Sequence, residues 1–501
     1  MRGALWVVVC LFACCEKGSV EAAEEATYSV REFGAAGDGQ TLDTDAINAA
    51  ITECAANGGG IVLFPPGTYL SGSIRLKSNI TLDIQKGATI RGASNDVQAY
   101  DPAEDNPYDE YQDYGHSHWH NSLIWGEELE NVVIRGLGII HGGGMTRSND
   151  VPEGGGDKAI ALKLCRKISI RDVTIREGGH FAILLSGCED IEIDNIEIYT
   201  YRDGINLDCF TRKAVIKNSY IESVRYSDGV PAGGDDAIAL KSSYALGRME
   251  PSENITVQNC TIRAGTNGLQ FGSETAGDFT DVNFSDITIL GAEKAGIGIT
   301  CNDGSIIDGV TYRNITMSNV ATPIFIKIGA RGRAPENRPV GQIRNITLTG
   351  ITATDVYGYI KERKWASTIA GHPDRSVENV SLENVSIIYK GGGAKEWAEF
   401  EPPITDDYSP RHLGIRPSYG FYCRFVSGLE FHNVEVGFEE ADLRPGLQIE
   451  HAESVELSEV TAERADESDA LLLLKDVRDV NIHDCAALPD TTLDDVSETT
   501  F

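Results

Sequence analysis

A short phrase of alternating apolar and polar residues recurs along most of this chain, and it restricts the possible folds severely. Each copy has a polar residue or Asn, then alternating apolar positions, then Asn or Asp, as in NVVIRGLGI, KISIRDVTI, DIEIDNIEI, NITVQNCTI and NVSLENVSI. Successive copies begin roughly 23 to 41 residues apart, with one interval of about 51. Strands in every copy, without alternating helices, predict an all-β solenoid, and a right-handed, single-stranded parallel β-helix fits best.

The exposed first coil of such a solenoid needs a cover, and the sequence offers one. Segment 42–56 has helical apolar spacing, with Asp43 or Thr44 available as the N-cap. The apolar positions are Ala46, Ala49, Ala50 and Cys54. We therefore expect an N-terminal capping helix.

The chain ends divide it into three parts. Arg2, the apolar run 4–15 and the small residues Ala22-Ala23 have the shape of a secretory signal, which predicts a signal peptide over 1–23. A secreted or periplasmic protein follows, with a lipoprotein anchored at Cys14 as the alternative. The β-helix domain is expected over 24–487, and the acidic stretch 488–501 lacks the repeat and is expected to be a disordered tail.

Composition excludes several classes of partner. The net charge of −33 argues against nucleic acid and against membranes, apart from that possible lipid anchor. The 11 cysteines contain no C-x-x-C pair, so a zinc site is not expected, and buried free thiols are the simpler interpretation. We expect a monomer without metal or cofactor.

One segment breaks the repeat, from Asp101 to Asn121. It is rich in Tyr and contains His116, His118 and His120 among several acids. Such a loop is either functional or an Ω-loop packed by its own rings, and both interpretations stay open.

Three carboxylates are separated by one turn of the repeat. Asp203 lies in YRDGINLDC on one coil, and Asp235 and Asp236 lie in GGDDAIALKS on the next. Stacked coils bring them together, so they cannot all ionise freely and one pKa must rise. One protonated and one ionised carboxyl are what glycoside hydrolysis requires. A double Asp alone also fits a turn or a calcium site.

Several stretches together resemble glycoside hydrolase family 28, the polygalacturonase-like pectin hydrolases. They are FGAAGDG, LDTDAINAAI and GGGIVLFPPGTYLSGSIRLKSNITL near the start, then YRDGINLDC, GGDDAIALKS, GTNGLQFGSET and PIFIKIGAR. The likeness extends over roughly residues 28 to 485, and APENRPVGQIRNITLTGI resembles a bacterial branch of the family.

That resemblance implies single-displacement hydrolysis with inversion at the anomeric carbon. Residue by residue, it implies Asp235 as general acid and Asp203 with Asp236 as base, while Asp208 falls outside the motif. It also implies a pectic oligo- or polysaccharide substrate, of galacturonan or rhamnogalacturonan type.

The sequence departs from the family pattern at three places. Tyr201 stands where the family's Asn-X-Asp-Gly motif has Asn. Asn267 stands where its Gly-His-Gly motif has His, and Phe325-Ile326-Lys327 replaces Arg-Ile-Lys. The water network and the carboxylate-binding subsite are therefore expected to differ from the family's.

Candidate substrate contacts follow from these matches and from the stacking. Lys327 and Arg331 belong to a basic segment, 327–344, that either binds a carboxylate or is a turn neutralised by nearby acids. His180 is either a substrate contact or a core histidine. The remaining candidates are Lys241, Asn267 and Tyr201, with Glu274 weaker.

The sequence thus predicts a secreted, inverting pectin hydrolase. We expect exo action, because the insertions Asp101–Asn121 and Arg225–Gly233 are long enough to close one end of a groove. A β-helix polysaccharide lyase and a non-catalytic carbohydrate-binding β-helix are the alternatives.

Overall fold

The computed structural model describes residues 25–146, 150–335, 338–357 and 365–501. The predicted signal peptide, with Cys14, lies outside the described residues. The strands, in chain order, are Thr27–Ser29, Asp38–Leu42, Gly60–Phe64, Gly67–Ser71, Ile74–Arg75, Ile80–Ile84, Ala88–Gly92, Ser122–Glu127, Glu130–Arg135, Ile139–His141, Lys158–Lys163, Arg166–Arg171, Thr174–Arg176, Phe181–Ser186, Glu189–Asp194, Glu197–Tyr199, Asp203–Asp208, Arg212–Lys217, Tyr220–Ser227, Val230–Gly234, Ile238–Ser242, Ser252–Gln258, Thr261–Ala264, Leu269–Thr275, Phe279–Cys301, Ile306–Ser318, Val320–Ile328, Gln342–Val356, Ser367–Ala370, Val377–Gly391, Phe421–Glu440, Leu447–Ser458, Thr461–Ala462, Leu472–His483 and Thr491–Thr500.

Each coil contributes a strand to each of three parallel faces. Phe181–Ser186 pairs in parallel with Asp203–Asp208 one coil later, and Glu189–Asp194 and Glu197–Tyr199 pair in the same way with their successors. From about residue 279 the strands are longer and bend across two faces. The predicted right-handed parallel β-helix is confirmed.

The core is a set of columns in which like residues stack from coil to coil. One column is fully buried and consists of Ile183, Ile205, Ile238, Leu269, Ile297 and Ile324. Burying a side chain of this size contributes about 1.5–3 kcal/mol, so the repeated apolar positions supply most of the driving force for stacking. The register is fixed because a one-residue slip would expose the whole column.

Asparagines turn the corners between faces. Asn218 has φ 53° and Asn259 has φ 51°, in the left-handed region that Asn tolerates better than most residues. The Asn259 Nδ2 donates to Asn218 Oδ1 at 2.7 Å, which makes a ladder between coils. The sequence contains eight N-x-S/T sites, and the asparagines of seven of them have positive φ, namely Asn79, Asn254, Asn259, Asn314, Asn345, Asn379 and Asn384.

The capping helix is present and begins where the sequence predicts. It spans Thr44–Ala56, with Asp43 as N-cap. Its buried face is rotated from the predicted one, because Ile47 and Ile51 fill the end of the core while Ala49 is exposed. The Asp43 carboxylate accepts hydrogen bonds from the Ala36 and Gly37 amides instead of capping the helix. Among the described residues, no helix combines the length and apolarity that a membrane crossing needs.

Short 3₁₀ helices occupy the loops. They span Val30–Phe33, Asn95–Val97, Asp109–Tyr111, Tyr114–His116, Lys395–Glu399 and Pro410–Leu413. The described cysteines are free thiols and nearly all are buried, as the sequence predicts.

The prediction of a disordered tail is wrong. Thr491–Thr500 forms a strand that pairs antiparallel with Leu472–His483, the last strand of the solenoid. Val496 is buried against that coil, and the Phe501 carbonyl accepts hydrogen bonds from the Leu471 and Leu472 amides. This strand covers the edge of the last coil, whose backbone groups would otherwise be unpaired. The acidic composition of the segment gives no indication of it.

We expect Val496→Asp to lower the free energy of unfolding by about 2 kcal/mol or more, because it buries a charge in the C-terminal cover. Ser497→Asp is the matched control, since Ser497 is exposed on the same strand. Thermal unfolding and size-exclusion chromatography measure the effect. Equal unfolding temperatures for the two variants would contradict an edge-covering role for this strand.

Candidate active site

The site begins with the register of the face that contains Phe181–Ser186, Asp203–Asp208, Ile238–Ser242 and Leu269–Thr275, here called the site face. Ile205 pairs with Ile238, and the Gly204 amide donates to the Asp236 carbonyl at 2.9 Å. Asp203 and Asp236 therefore stack on neighbouring coils at the start of their strands. Each of the three aspartates places a carboxylate oxygen within 4.8 Å of the other two.

The same register extends over four coils and defines two columns. The first column is Arg202, Asp235, Thr266 and Lys294, and the second is Asp203, Asp236, Asn267 and Ala295. Because neighbouring coils are about 4.8 Å apart, four functional positions fit within roughly 15 Å.

Asp236 is held by its neighbours in the next coil. Its Oδ1 accepts hydrogen bonds from the Thr266 hydroxyl, the Asn267 amide at 3.0 Å and the Asn267 Nδ2 at 2.7 Å. The Ala295 amide donates to the Asn267 Oδ1 and fixes that side chain. The Asn that replaces the family's His thus orients one carboxylate of the cluster.

The surroundings of Asp235 change its acidity strongly. Burial, and then the charges of Asp203 and Asp236, raise its pKa to about 7, although Arg202 and Lys241 act in the opposite direction. The Asp235 side chain is also the most accessible of the three aspartates: it is 27% exposed, against 3% for Asp203. Asp235 therefore keeps its proton up to about pH 7 and also has access to the cavity.

Two cations balance the carboxylates. The Lys241 Nζ lies 3.6 Å from Asp203 Oδ1 and 3.9 Å from Glu274 Oε2. Burial opposes its charge, but Asp203 and Glu274 outweigh that effect and raise the Lys241 pKa. The Arg202 Nε lies 3.0 Å from Asp235 Oδ2. By distance alone the three carboxylates could hold a metal ion, but these side chains already place positive charge beside them.

His180 reaches the cluster through Arg202. Burial and the Arg202 charge hold the His180 pKa well below its usual value, so the ring is neutral. Its Nε2 accepts a hydrogen bond from Arg202 at 2.9 Å, and the ring stacks on Phe181. His180 thus lines the cavity and also packs as a core residue does, which combines the two interpretations of the sequence.

The segment Asp101–Asn121 also combines its two interpretations. Tyr108 and Tyr111 pack edge-on against Tyr244, with ring centroids 5.1 and 5.4 Å away. The same segment places Asp113 and His116 on the cavity wall. It is therefore an internally packed loop that builds part of the site.

His116 connects this loop to buried acids. Its Nδ1 lies 3.5 Å from Asp208 Oδ2, and its Nε2 lies 3.5 Å from Glu274 Oε2. Asp208 also accepts hydrogen bonds from the backbone and hydroxyl of Ser243, so it is a structural acid outside the cluster. Burial raises the Glu274 pKa, but the charges of His116 and Lys241 outweigh it and lower the value.

The cavity is small, at about 110 Å³, and its walls come from distant parts of the chain. Its lining residues are Asp113, His116, His180, Arg202, Asp203, Asp235, Asp236, Lys241, Ser273, Glu274, Lys294 and Tyr408. Tyr408 belongs to the segment between Gly391 and Phe421, so this segment contributes a second loop to the cavity wall, besides the one that carries Asp113.

Two predicted substrate contacts are placed behind the cavity wall. The Lys327 Nζ donates to the Thr405 carbonyl at 2.6 Å, and burial lowers its pKa to about 8. Arg331 binds Asp303 through two nitrogens, at 3.0 and 2.6 Å. Lys327 thus anchors the loop that carries Tyr408, and Arg331 is neutralised by a buried acid, while contact of these cations with substrate stays a prediction.

Tyr201, another predicted substrate contact, does not line the carboxylate cavity. It lines a separate cavity of about 280 Å³, together with Tyr199 and Tyr226. This cavity lies where the chain passes from the strand Glu197–Tyr199 to the site face, just before Asp203. The Asn of the family motif therefore has no counterpart on the wall of the carboxylate cavity.

Sequence reasoning missed Arg202, Lys294 and Tyr408. Arg202 occupies the variable position of the Asn-X-Asp-Gly motif, so the motif assigns it no role. Lys294 could have been found by extending the register one coil beyond Asn267. Tyr408 gives no local signal, because a long loop brings it 172 positions past Asp236 to the same cavity.

A cluster with one carboxyl of raised pKa beside two further carboxylates defines a site for acid–base hydrolysis. Comparison with known proteins identifies the kind of bond. The model of the glycosyl hydrolases family 28 matches residues 54–403. This chain belongs to that family, and it is therefore a glycoside hydrolase, for which inversion is general.

Individual relatives agree with this assignment. A probable polygalacturonase of Vitis vinifera is 28% identical over 412 residues, which is 74% of this chain and 78% of that protein. An endo-polygalacturonase of Pectobacterium carotovorum subsp. carotovorum is 26% identical over 368 residues, 69% of this chain and 84% of its own length. The solved family 28 exopolygalacturonase of Yersinia enterocolitica shares the fold, with a TM-score of 0.62 and 20% identity over 92% of this chain and 79% of its own.

The raised pKa of Asp235 gives a stability prediction. A carboxyl that ionises near pH 7 when folded and near 3.8 when unfolded costs nothing below pH 4, and the cost grows as pH rises towards 7. We expect the free energy of unfolding of Asp235→Asn to exceed that of wild type by a few kcal/mol at pH 8, so that the variant unfolds at a higher temperature there, and we expect similar unfolding temperatures at pH 4. Scanning calorimetry at both values measures this. A variant that is less stable than wild type at pH 8 would count against the raised pKa.

Proposed function

We propose that this protein hydrolyses glycosidic bonds in pectic polysaccharide or oligosaccharide, of galacturonan or rhamnogalacturonan type. The observation that carries the proposal is the grouping of Asp235, Asp203 and Asp236 within 4.8 Å in a family 28 chain, where burial and the neighbouring carboxylates raise the pKa of Asp235 to about 7. The names of the matched relatives support the substrate class, since they are polygalacturonases.

The catalytic roles follow from the contacts of each carboxylate. Asp235 donates its proton to the glycosidic oxygen as the bond from that oxygen to the anomeric carbon breaks. A water attacks the anomeric carbon from the other face and gives its proton to a carboxylate base. Asp235 loses one proton and the base gains one, so the total number of protons on the site is unchanged, and exchange with solvent restores the starting state.

Asp203 is the better placed of the two bases. The Asp236 Oδ1 already accepts three hydrogen bonds. In the part of the chain that the structure describes, Asp203 has only the ion pairs with Lys241 and Arg202, at 3.6 and 3.9 Å. Its oxygens therefore keep the capacity to accept a hydrogen bond from water. Asp236 positions that water from the neighbouring coil.

The alternatives have less support. A polysaccharide lyase is not favoured, because the match over residues 54–403 is to a hydrolase family. A carbohydrate-binding protein without activity would bind pectic oligosaccharides and release nothing, which the following experiment detects.

We expect the purified protein to release products of inverted configuration from pectic oligosaccharides, and Asp235→Asn to lower the rate about 10²- to 10⁴-fold, since it removes the general acid. Activity should fall as pH rises through about 7, where Asp235 loses its proton. Product mass and anomer are followed by mass spectrometry and NMR. Asp494→Asn, at an exposed position of the C-terminal strand Thr491–Thr500, is the matched control.

Three results would contradict this proposal. They are the absence of product from every pectic substrate, an unsaturated product, and an Asp235→Asn variant with wild-type turnover.

We propose exo action, from the shape of the cavity. Asp113 and Tyr408 belong to two loops that are far apart in the chain, and both line the cavity. The hairpin formed by Tyr220–Ser227 and Val230–Gly234 stands immediately before Asp235. Walls of this kind suit a chain end better than a continuous polymer.

Exo action predicts that reducing ends appear while the viscosity of polygalacturonan stays nearly constant, because each cut removes a unit from an end. The measurement is simultaneous viscometry and reducing-sugar assay. A loss of half the viscosity within the first few per cent of bonds cleaved would instead show endo action.

A further inference from the structure

The negative charge of the cavity wall opposes the binding of an acidic sugar. Its wall holds five carboxyl groups, those of Asp113, Asp203, Asp235, Asp236 and Glu274. A uronic acid carries its own carboxylate on the ring, so binding needs a cation that these groups do not already occupy.

The cations at the family's positions are occupied. Phe325 is a buried apolar residue where the family has Arg. Lys327 is bound to the Thr405 carbonyl, and Arg331 to Asp303. Inside the cavity, Arg202 and Lys241 are paired with the aspartate cluster.

Lys294 differs from these cations. It lines the cavity, is half-buried, and takes part in none of the ion pairs found among the described residues. Its Nζ lies 5.3 Å from the centroid of the Tyr408 ring, a cation–π distance. The ammonium is thus kept in the cavity by an uncharged partner, and its hydrogen-bond donors remain available to a ligand.

The register of the strands shows in which direction Lys294 lies from Asp235. Lys294 lies in the first column, two coils beyond Asp235 and about 10 Å along the solenoid, with Thr266 between them. Its four-carbon stem covers part of that distance. A sugar ring whose glycosidic oxygen meets Asp235 would therefore extend its ring substituents towards Lys294.

We propose that Lys294, seated on Tyr408, binds the ring carboxylate of a uronic acid residue and determines the preference of this site for uronates over neutral sugars. This inference rests on the proposed function, of which it names the specificity-determining residue. The Tyr408 hydroxyl stays protonated at neutral pH, because burial raises its pKa to about 12, so it can donate to the same carboxylate.

The test compares oligogalacturonate with its methyl ester, in which the carboxylates are neutral. We expect Lys294→Met to lower kcat/KM on the free acid about 30- to 100-fold, chiefly through KM, and to change kcat/KM on the ester less than about threefold. Lys294→Arg should keep at least a tenth of the wild-type value on the acid. Lys217→Met is the control, since Lys217 pairs with Glu192 on another face.

Equal losses on acid and ester, or no loss on either, would overturn the assignment. Circular dichroism and thermal unfolding of each variant show whether the fold is kept, and the Arg variant preserves the charge if Met destabilises the wall.

Binding separates this inference from the proposed function. Galacturonate and galactose are titrated into the wild-type protein and into Lys294→Met by calorimetry. If wild type cleaves nothing but binds galacturonate through Lys294, the proposed activity fails and the carboxylate site stands. If galacturonate and galactose bind alike in both proteins, the assignment of Lys294 is wrong whatever the activity.

Discussion

Parallel main-chain pairing between coils is the constraint on which the whole site depends. It fixes each residue above the one a coil earlier, so buried columns and surface columns are set by the same register. At the site, this register places three carboxylates within a few ångströms of one another. The apolar columns beneath supply the free energy that keeps Asp203, Asp235 and Asp236 together in spite of their repulsion. Acidity near neutral pH at Asp235 is a consequence of that stacking.

The charge balance of the site is equally a product of stacking. Arg202 and Asp235 are neighbours in the first column, and Asp203 and Asp236 are neighbours in the second. Each acid therefore has a cation or a set of amide donors within one coil. Elsewhere the basic segment 327–344 is largely neutralised, with Arg331 on Asp303 and Arg344 on Asp308. Of the two interpretations of that segment, the neutralised turn describes these residues.

The repeat made the fold and the carboxylate cluster predictable, because both depend only on spacing along the chain. Asn267 was identified as a departure from the family pattern, and its hydrogen bonds to Asp236 explain how the site accommodates the change. Contacts made by loops were not predictable in this way. The sequence shows that Lys327 is a cation near the cluster, but not that a carbonyl 78 residues further on captures it. The acidic composition of 488–501 likewise gave no sign of the strand Thr491–Thr500, since its partner strand is what orders it.

The asparagine corners have a consequence for how this protein is produced. Asn345 and Asn379 lie in N-x-T and N-x-S sequences, and the nitrogen that would carry a glycan is the one that donates the ladder bond. Asn379 Nδ2 donates to Asn345 Oδ1 at 3.0 Å, on exposed corners of successive coils. In a eukaryotic secretory pathway, modification would reach these side chains before the coils close, and it would compete with the formation of the ladder. In a host without N-glycosylation, these side chains stay unmodified and the ladder forms without competition.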